Sequence, residues 1–322
     1  MSPELIYICG SGHSGSTLLD MILGGHSKIS ALGEAHRVYL SAHNEGKVHL
    51  CACGLTLEKC EFWSAVENYL VKKNPEFASI GALKNLPTTD PRNLHLKASG
   101  NLLGNSATRP RLGNMISIAA LFFGKSVWQG VSNIHGETKI DFEAAKNSLK
   151  VYDAIRQVWD TPIIVDSTKN PRRLLSLKHL YPKYTKALYL LRDGRAVCRS
   201  RMLREEKSME KSIEIWKAEH ARLKPVLKKF SANQIKTIKY EDLCRDTNQV
   251  IDDICAWSGL KREQHMQTFR KGRHNIGGNP MRFRREERTI RLDEKWRKDL
   301  SEEDLKTFAE LGSDLNKELG YE

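Results

Sequence analysis

Apolar positions follow two different periods along this chain. Short unbroken apolar runs alternate with longer stretches in which apolar residues return every three or four positions. Leu5-Ile6-Tyr7-Ile8-Cys9 is the first run and stops at Gly10. Pro162-Ile163-Ile164-Val165 ends at Asp166-Ser167, and Ala187-Leu188-Tyr189-Leu190-Leu191 ends at Arg192-Asp193-Gly194. Ile235-Lys236-Thr237-Ile238-Lys239-Tyr240, which alternates, is a fourth strand candidate. Short, β-rich and bounded by turn residues, these runs predict buried strands. Helical spacing predicts a helix from Thr17 until Gly24-Gly25 stops it, and others over about 142–159, 171–180, 195–204, 210–229, 247–257 and 301–318. Strands alternating with helices predict an α/β fold: one parallel sheet flanked by helices, in a single domain. From about 41 to 140 the pattern is less regular, which predicts an insertion of helices and loops. The arginine- and glycine-rich stretch from Arg270 to Arg291 predicts a loop.

Composition narrows the partners. The chain has 322 residues, 40% of them hydrophobic, enough for a buried core and too many for a disordered chain. No apolar run reaches the ~18 residues that would span a bilayer, so no membrane partner is expected. Lys and Arg number 52 against 39 acids, and 52 − 39 gives the formal charge of +13. Such a balance favours an anionic partner without choosing which. Residues 207–229 mix this charge with an apolar stripe, as a solvated amphipathic helix does, and do not read as a nucleic-acid contact. The seven cysteines are odd in number and mostly scattered, which argues against a disulfide scaffold. The amino-terminal stretch lacks the features of a signal peptide. The expectation is a cytoplasmic protein.

Gly10-Ser11-Gly12-His13-Ser14-Gly15-Ser16-Thr17 has phosphate-loop spacing between the first strand and the first helix. Backbone N–H groups of such a loop, backed by a helix N-terminus, form an anion site. A triphosphate-hydrolysing loop carries Lys before its Ser/Thr, and here that position is Ser16. The fold expected is therefore P-loop-like, with ordinary kinase or GTPase chemistry as the alternative reading. A second strand-to-helix turn, Arg192-Asp193-Gly194-Arg195-Ala196, is followed by Ser200 and, four residues on, by Arg204. Arg192, Ser200 and Arg204 could converge on another phosphate.

Together these motifs resemble the sulfotransferases that use 3′-phosphoadenosine 5′-phosphosulfate (PAPS), of bacterial type with local resemblance to tyrosylprotein sulfotransferases. The resemblance implies that Gly12, His13, Ser14, Gly15, Ser16 and Thr17 hold the 5′-phosphosulfate, and that Arg192, Ser200 and Arg204 hold the 3′-phosphate. Gly33-Glu34-Ala35-His36-Arg37 is similar to a G-E-x-x-R segment, which makes Glu34 the candidate base. Asp166-Ser167-Thr168-Lys169 resembles a D-S-[ST]-K segment, which makes Lys169 the candidate cation for the leaving oxygen. Tyr240-Glu241-Asp242-Leu243 matches a Y-E-D-L whose Tyr contacts the nucleotide. Gly278 to Phe283 looks like the late loop that closes over the cofactor, with Asn279 and Arg282 as its binding residues.

His13 stands where the family usually has Lys or Arg. A free imidazole, with pKa ~6.5, is largely neutral at pH 7. The expectation is that a dianionic nucleotide draws a proton onto His13, which then acts as cation or proton donor; alternatively it only packs. The resemblance implies PAPS as co-substrate and no metal requirement. Cys51-x-Cys53 with Cys60 falls one donor short of a zinc site, which His49 could complete, and structural thiols are the reading taken. The acceptor pocket is expected in the insertion, and a small-molecule metabolite is the expected acceptor. Carbohydrate or peptide acceptors, O- or N-sulfation and the oligomeric state stay open. A noncatalytic polyanion- or RNA-binding protein is the third class, and it would need a basic face with exposed aromatics.

Overall fold

The first apolar run becomes strand β1 (Glu4–Gly10), buried beyond Glu4. The others become β3 (Ile163–Asp166), β4 (Thr185–Leu191) and β5 (Ile235–Lys239). The computed structural model describes residues 4–44, 46–90, 111–268, 274–284 and 289–322. One strand has no counterpart in the apolar pattern: β2 (Ile29–Ala31) is three residues long and pairs parallel to β3. The sheet has five strands in the order β2-β3-β1-β4-β5, with β1 parallel to β3 and β4 parallel to β5. Tyr240 does not extend β5; it opens the helix that follows.

Backbone contacts group the chain into two compact units, and both take residues from β1. The first comprises Met1–Tyr7, Leu19–Lys186 and Glu263–Glu287; the second comprises Ile8–Leu18, Ala187–Arg262 and Arg288–Glu322. Helix α1 (Ser16–Leu23) starts in the second unit and ends in the first.

In the first unit α2 (Glu61–Lys73), α3 (Gly136–Trp159) and α4 (Pro171–Leu180) follow. Helix α3 begins at Gly136 rather than near 142, because His135 caps it by accepting the Thr138 N–H. Helix α4 coincides with its predicted bounds: the Asn170 side chain caps the N–H groups of Arg172 and Arg173, and Pro171 takes a first-turn position that needs no N–H. Within the irregular 41–140 stretch there are also helices Arg111–Phe122 and Lys125–Ser132.

The second unit holds α5 (Gly194–Glu205), α6 (Met209–Leu227), α7 (Tyr240–Arg245), α8 (Thr247–Trp257), α9 (Glu302–Leu311) and α10 (Ser313–Glu318). Its core gathers Val197, Ile213, Trp216, Trp296 and Phe308. Gly194 is obligatory there, since a Cβ would lie 2.6 Å from the Trp216 ring. The single helix expected over about 301–318 is two, broken at Gly312, where a Cβ would lie 2.9 Å from the Phe308 ring. Among the described residues no helix is long and apolar enough to cross a membrane.

Candidate active site

The second unit carries the phosphate-type loop. β1 delivers the chain into Gly10–Gly15, and α1 begins at Ser16, so its first-turn N–H groups have no acceptor inside the helix. The loop turns sharply: His13 has φ 63° and Gly15 φ 95°, both left-handed. At Gly15 a Cβ would come within 2.5 Å of the Tyr240 ring, so glycine is the residue that fits. Two polar atoms favour an anion: Ser14 Oγ and Arg192 Nε are buried and have no hydrogen-bond partner among the described residues. These features suit a phosphate group. PAPS, the anion that the resemblance implies, would supply both a phosphate to grip here and the sulfuryl group to transfer.

Beneath the loop runs a chain of charges that no sequence motif announced. Ser11 Oγ and the Gly12 N–H donate to Glu219, at 2.5 and 3.3 Å. Arg201, only 1% exposed, neutralises that carboxylate at 3.0 Å and reaches Glu205 at 3.5 Å. Glu205 in turn lies 2.9 Å from His13 Nε2. The hydrogen bond from His13 holds the Glu205 carboxyl below its usual range against the opposing effect of burial. His13 thus stands at the end of this chain of charges. The i,i+4 spacing of Arg201 and Glu205 is the one trace of it in the sequence.

Arg192 leaves the end of β4 and braces the same loop. Its Nη1 donates to the His13 carbonyl at 3.0 Å and its Nη2 to the Asp293 carbonyl at 3.1 Å. The guanidinium lies 4.3 Å from the centroid of the Tyr240 ring. Tyr240 is thus a buried platform under both Arg192 and Gly15. Asp193 caps α5 by accepting the Arg195 N–H. Further along α5, Ser200 is half-buried and Arg204 exposed.

The first unit carries the candidate base and cation. Glu34 follows the turn at Gly33 and is gripped from two sides. Lys169 Nζ lies 3.2 Å from its Oε1, and Arg37 Nε donates to its Oε2 at 2.8 Å. Burial alone would raise its pKa, but the Lys169 and Arg37 cations outweigh burial and hold it at about 2. Lys169 also donates to the Ser167 carbonyl at 2.8 Å, from a left-handed backbone of φ 67°. A non-glycine residue in that region costs on the order of 1–3 kcal/mol and persists where its surroundings impose it.

Asp166 imposes it. Fully buried, it accepts from Tyr152 OH at 2.6 Å, Arg173 Nε at 3.1 Å and the Thr168 N–H at 2.9 Å. Its carboxylate is committed to shaping the turn that presents Lys169. That is the strand-end acid a Mg²⁺-dependent kinase would have used. Asp20 plays a parallel part below Gly33: it accepts the Gly33 N–H at 3.1 Å and is hydrogen-bonded to Asn275. Burial pushes its pKa up to about 7 despite those two bonds.

The late loop lies in the same unit, and part of it differs from expectation. Arg282, expected over a nucleotide, is only 3% exposed. Its Nη1 donates to the Leu50 carbonyl at 2.7 Å and the Asn275 carbonyl at 3.1 Å, which makes it an internal strut. Asn279 accepts the Met281 N–H and starts a short turn. Arg284 and Arg291 are exposed, while Arg285 and Arg288 lie outside the described residues. Cys51, Cys53 and Cys60 are drawn together as their spacing suggested, but the fourth donor is His274, not His49. The missing partner comes from the late loop, far away in sequence, where no local spacing could reveal it.

The chain resembles known proteins in part of its sequence and in its fold. The family model described as "Sulfotransferase family" matches residues 111–264. The sulfotransferase domain of the Synechococcus PCC 7002 olefin synthase aligns over 100% of this chain and 96% of its own, at 17% identity and a TM-score of 0.56. The sulfotransferase domain from the curacin biosynthetic pathway aligns over 100% and 99%, at 16% identity and a TM-score of 0.52. At such identities the two structures speak for the fold. No curated protein matches the chain in sequence. The family model thus covers just under half of the chain, and the parallel sheet with flanking helices is the fold shared with those two sulfotransferase domains.

Proposed function

We propose that this chain is a cytoplasmic, PAPS-dependent sulfotransferase that moves the sulfuryl group onto a hydroxyl or amine of a small-molecule metabolite. The acceptor oxygen or nitrogen attacks sulfur, the bond from sulfur to the 5′-phosphate oxygen breaks, and the acceptor proton passes to a base. Glu34 is that base. Lys169 stabilises the charge that appears on the departing phosphate oxygen. Residues Gly12 to Thr17 hold the 5′-phosphate, with His13 donating to it. Arg192, Ser200 and Arg204 serve the 3′-phosphate, and Tyr240 supports both Arg192 and the loop.

The observation that carries this reading is the ion pair between Glu34 and Lys169 at 3.2 Å. Sulfuryl transfer needs a base for the acceptor proton and a cation or proton donor for the leaving oxygen, and this pair can supply both if it separates during the reaction. While Lys169 stays on Glu34 the carboxyl is too acidic to accept a proton at neutral pH. When the ammonium turns to the departing phosphate oxygen, one of two restraining cations is withdrawn and the carboxyl becomes more basic. Cation and base are thereby switched on together.

Incubation of the enzyme with PAPS and a panel of alcohols, phenols, amines, sugars and peptides, read by mass spectrometry, tests the proposal. The expected product is a small molecule heavier by one SO₃, formed by the wild type and lost in Glu34→Gln. PAPS left unconsumed with every acceptor class would overturn it.

A further inference from the structure

We propose that Cys51, Cys53, Cys60 and His274 bind one Zn²⁺ in a closed structural site that fastens the late loop to the segment bearing Glu34. Three thiol sulfurs and one imidazole nitrogen lie within 4.8 Å of one another. Zinc bonds of about 2.3 Å to sulfur and 2.0–2.1 Å to nitrogen set tetrahedral edges of roughly 3.8 Å between sulfurs and 3.6 Å from sulfur to nitrogen. Here Cys51 and Cys60 Sγ are 3.5 Å apart, and His274 Nδ1 lies 3.6 Å from Cys51 Sγ and 3.2 Å from Cys60 Sγ. Donors already spaced close to those edges need little movement to close on an ion. The sulfurs are well beyond the ~2.05 Å of a disulfide. A soft set of three thiolates and one imidazole selects zinc over magnesium or calcium. Four protein donors leave no open position for substrate or water, as in structural rather than catalytic sites.

The surroundings are organised for it. Gly54, with φ 92°, closes the tight turn after Cys53, and its N–H donates to the Cys51 carbonyl at 2.8 Å. Cys60 stands at the N-cap of α2. The His274 ring stacks on Phe62, with centroids 5.1 Å apart and planes 11° off parallel, and Phe62 stacks in turn on Trp159. Trp63 Nε1 donates to the His274 carbonyl at 3.0 Å, so ring and backbone of the nitrogen donor are both held.

The purpose follows from what His274 leads into. The Ala52 N–H donates to the Asn275 carbonyl at 2.9 Å, and Ile276 receives the Glu34 N–H at 2.7 Å while donating to the Leu32 carbonyl at 2.8 Å. The strap 274–277 thus carries the backbone of Glu34. An ion at its head ties that strap to the Cys51–Cys60 segment.

The test is metal content and cobalt substitution in the full-length protein, purified under reducing conditions with zinc supplied and no chelator. One zinc per chain by mass spectrometry is expected. Replacement by Co²⁺ should give the thiolate-to-cobalt charge-transfer band and intense d–d bands of a tetrahedral site. Cys53→Ser, a change at a half-buried position, should stay folded by circular dichroism with weakened affinity and a diminished charge-transfer band. Cys244→Ser, outside the cluster, should leave both unchanged. Metal well below one per chain together with no cobalt spectrum would overturn the proposal, and so would a Cys51–Cys60 disulfide found in the native protein. Neither readout depends on sulfuryl transfer, so failure here leaves the reading of Glu34 and Lys169 to its own experiment.

Discussion

Glu34 sits between two cations, and its chemistry depends on which of them stays. With Lys169 and Arg37 both in place its carboxyl is held at about 2, below the ~4.3 of an exposed glutamate. The same shift sets a pH signature. A carboxyl depressed by folding contributes stability above about pH 4.3, and that contribution is lost as pH falls towards 2. Asp20 has the opposite sign. Folding raises it to about 7 from ~3.9, so its contribution is complete below pH ~4 and lost as pH rises to about 7. Thermal denaturation across pH should therefore show Asp20→Asn flattening the decline between pH 4 and 7, whereas Glu34→Gln lowers stability above about pH 4.3 and flattens the acid limb below it. In catalysis Glu34→Gln should lower kcat by roughly 10²–10⁴-fold, the usual worth of a general base, with donor KM nearly unchanged. At His13, which stands where the sulfotransferases it resembles usually have Lys or Arg, His13→Arg should retain activity and extend it to higher pH. An unchanged pH–rate profile with activity intact would show that His13 acts in another way.

The elements explain which of these residues could be read from the sequence. Unbroken apolar runs marked β1, β3 and β4 because a central parallel strand is covered on both faces, whereas β5, at the sheet edge, showed only as an alternation. β2 escaped because three residues, Ile29-Ser30-Ala31, make no periodic signal; its pairing with β3 creates it. Glu34 was accordingly found by its motif and not by the strand that delivers it. Tyr240 was placed on a strand because its side chain prolongs an apolar alternation, yet the helix begins there and turns its ring under Gly15 and Arg192. The phosphate-type loop is where element and function coincide most closely. Gly15→Ala would combine a left-handed backbone with a Cβ 2.5 Å from the Tyr240 ring. We expect it to cost about 1–3 kcal/mol of stability, read by urea denaturation, and to weaken nucleotide binding at least tenfold.

Across the whole molecule the proposed labour divides between the two units. Loop, Arg192 and Tyr240 belong to the second; Glu34, Lys169 and the cysteine–histidine cluster belong to the first. What the sequence left hidden is of one kind: contacts between segments far apart in the chain. Glu219 beneath Ser11, Glu205 beside His13 and His274 among the cysteines all join distant segments, so no local spacing exposes them. The net charge of +13 likewise resolves into unlike parts: Arg201 and Arg282 are buried struts, and Arg204 is exposed. This division predicts that changes in the two units separate kinetically. Arg192→Ala should raise the Kd for adenosine 3′,5′-bisphosphate at least tenfold. Lys169→Met should change that Kd little while lowering kcat by a factor of 10² or more, on the scale of a lost electrostatic stabiliser. Calorimetric titration with adenosine 3′,5′-bisphosphate, set against ATP with Mg²⁺, tests the central claim most directly. The account predicts micromolar affinity for the bisphosphate, weakened in Arg192→Ala and Ser200→Ala; preference for ATP–Mg²⁺ would contradict it.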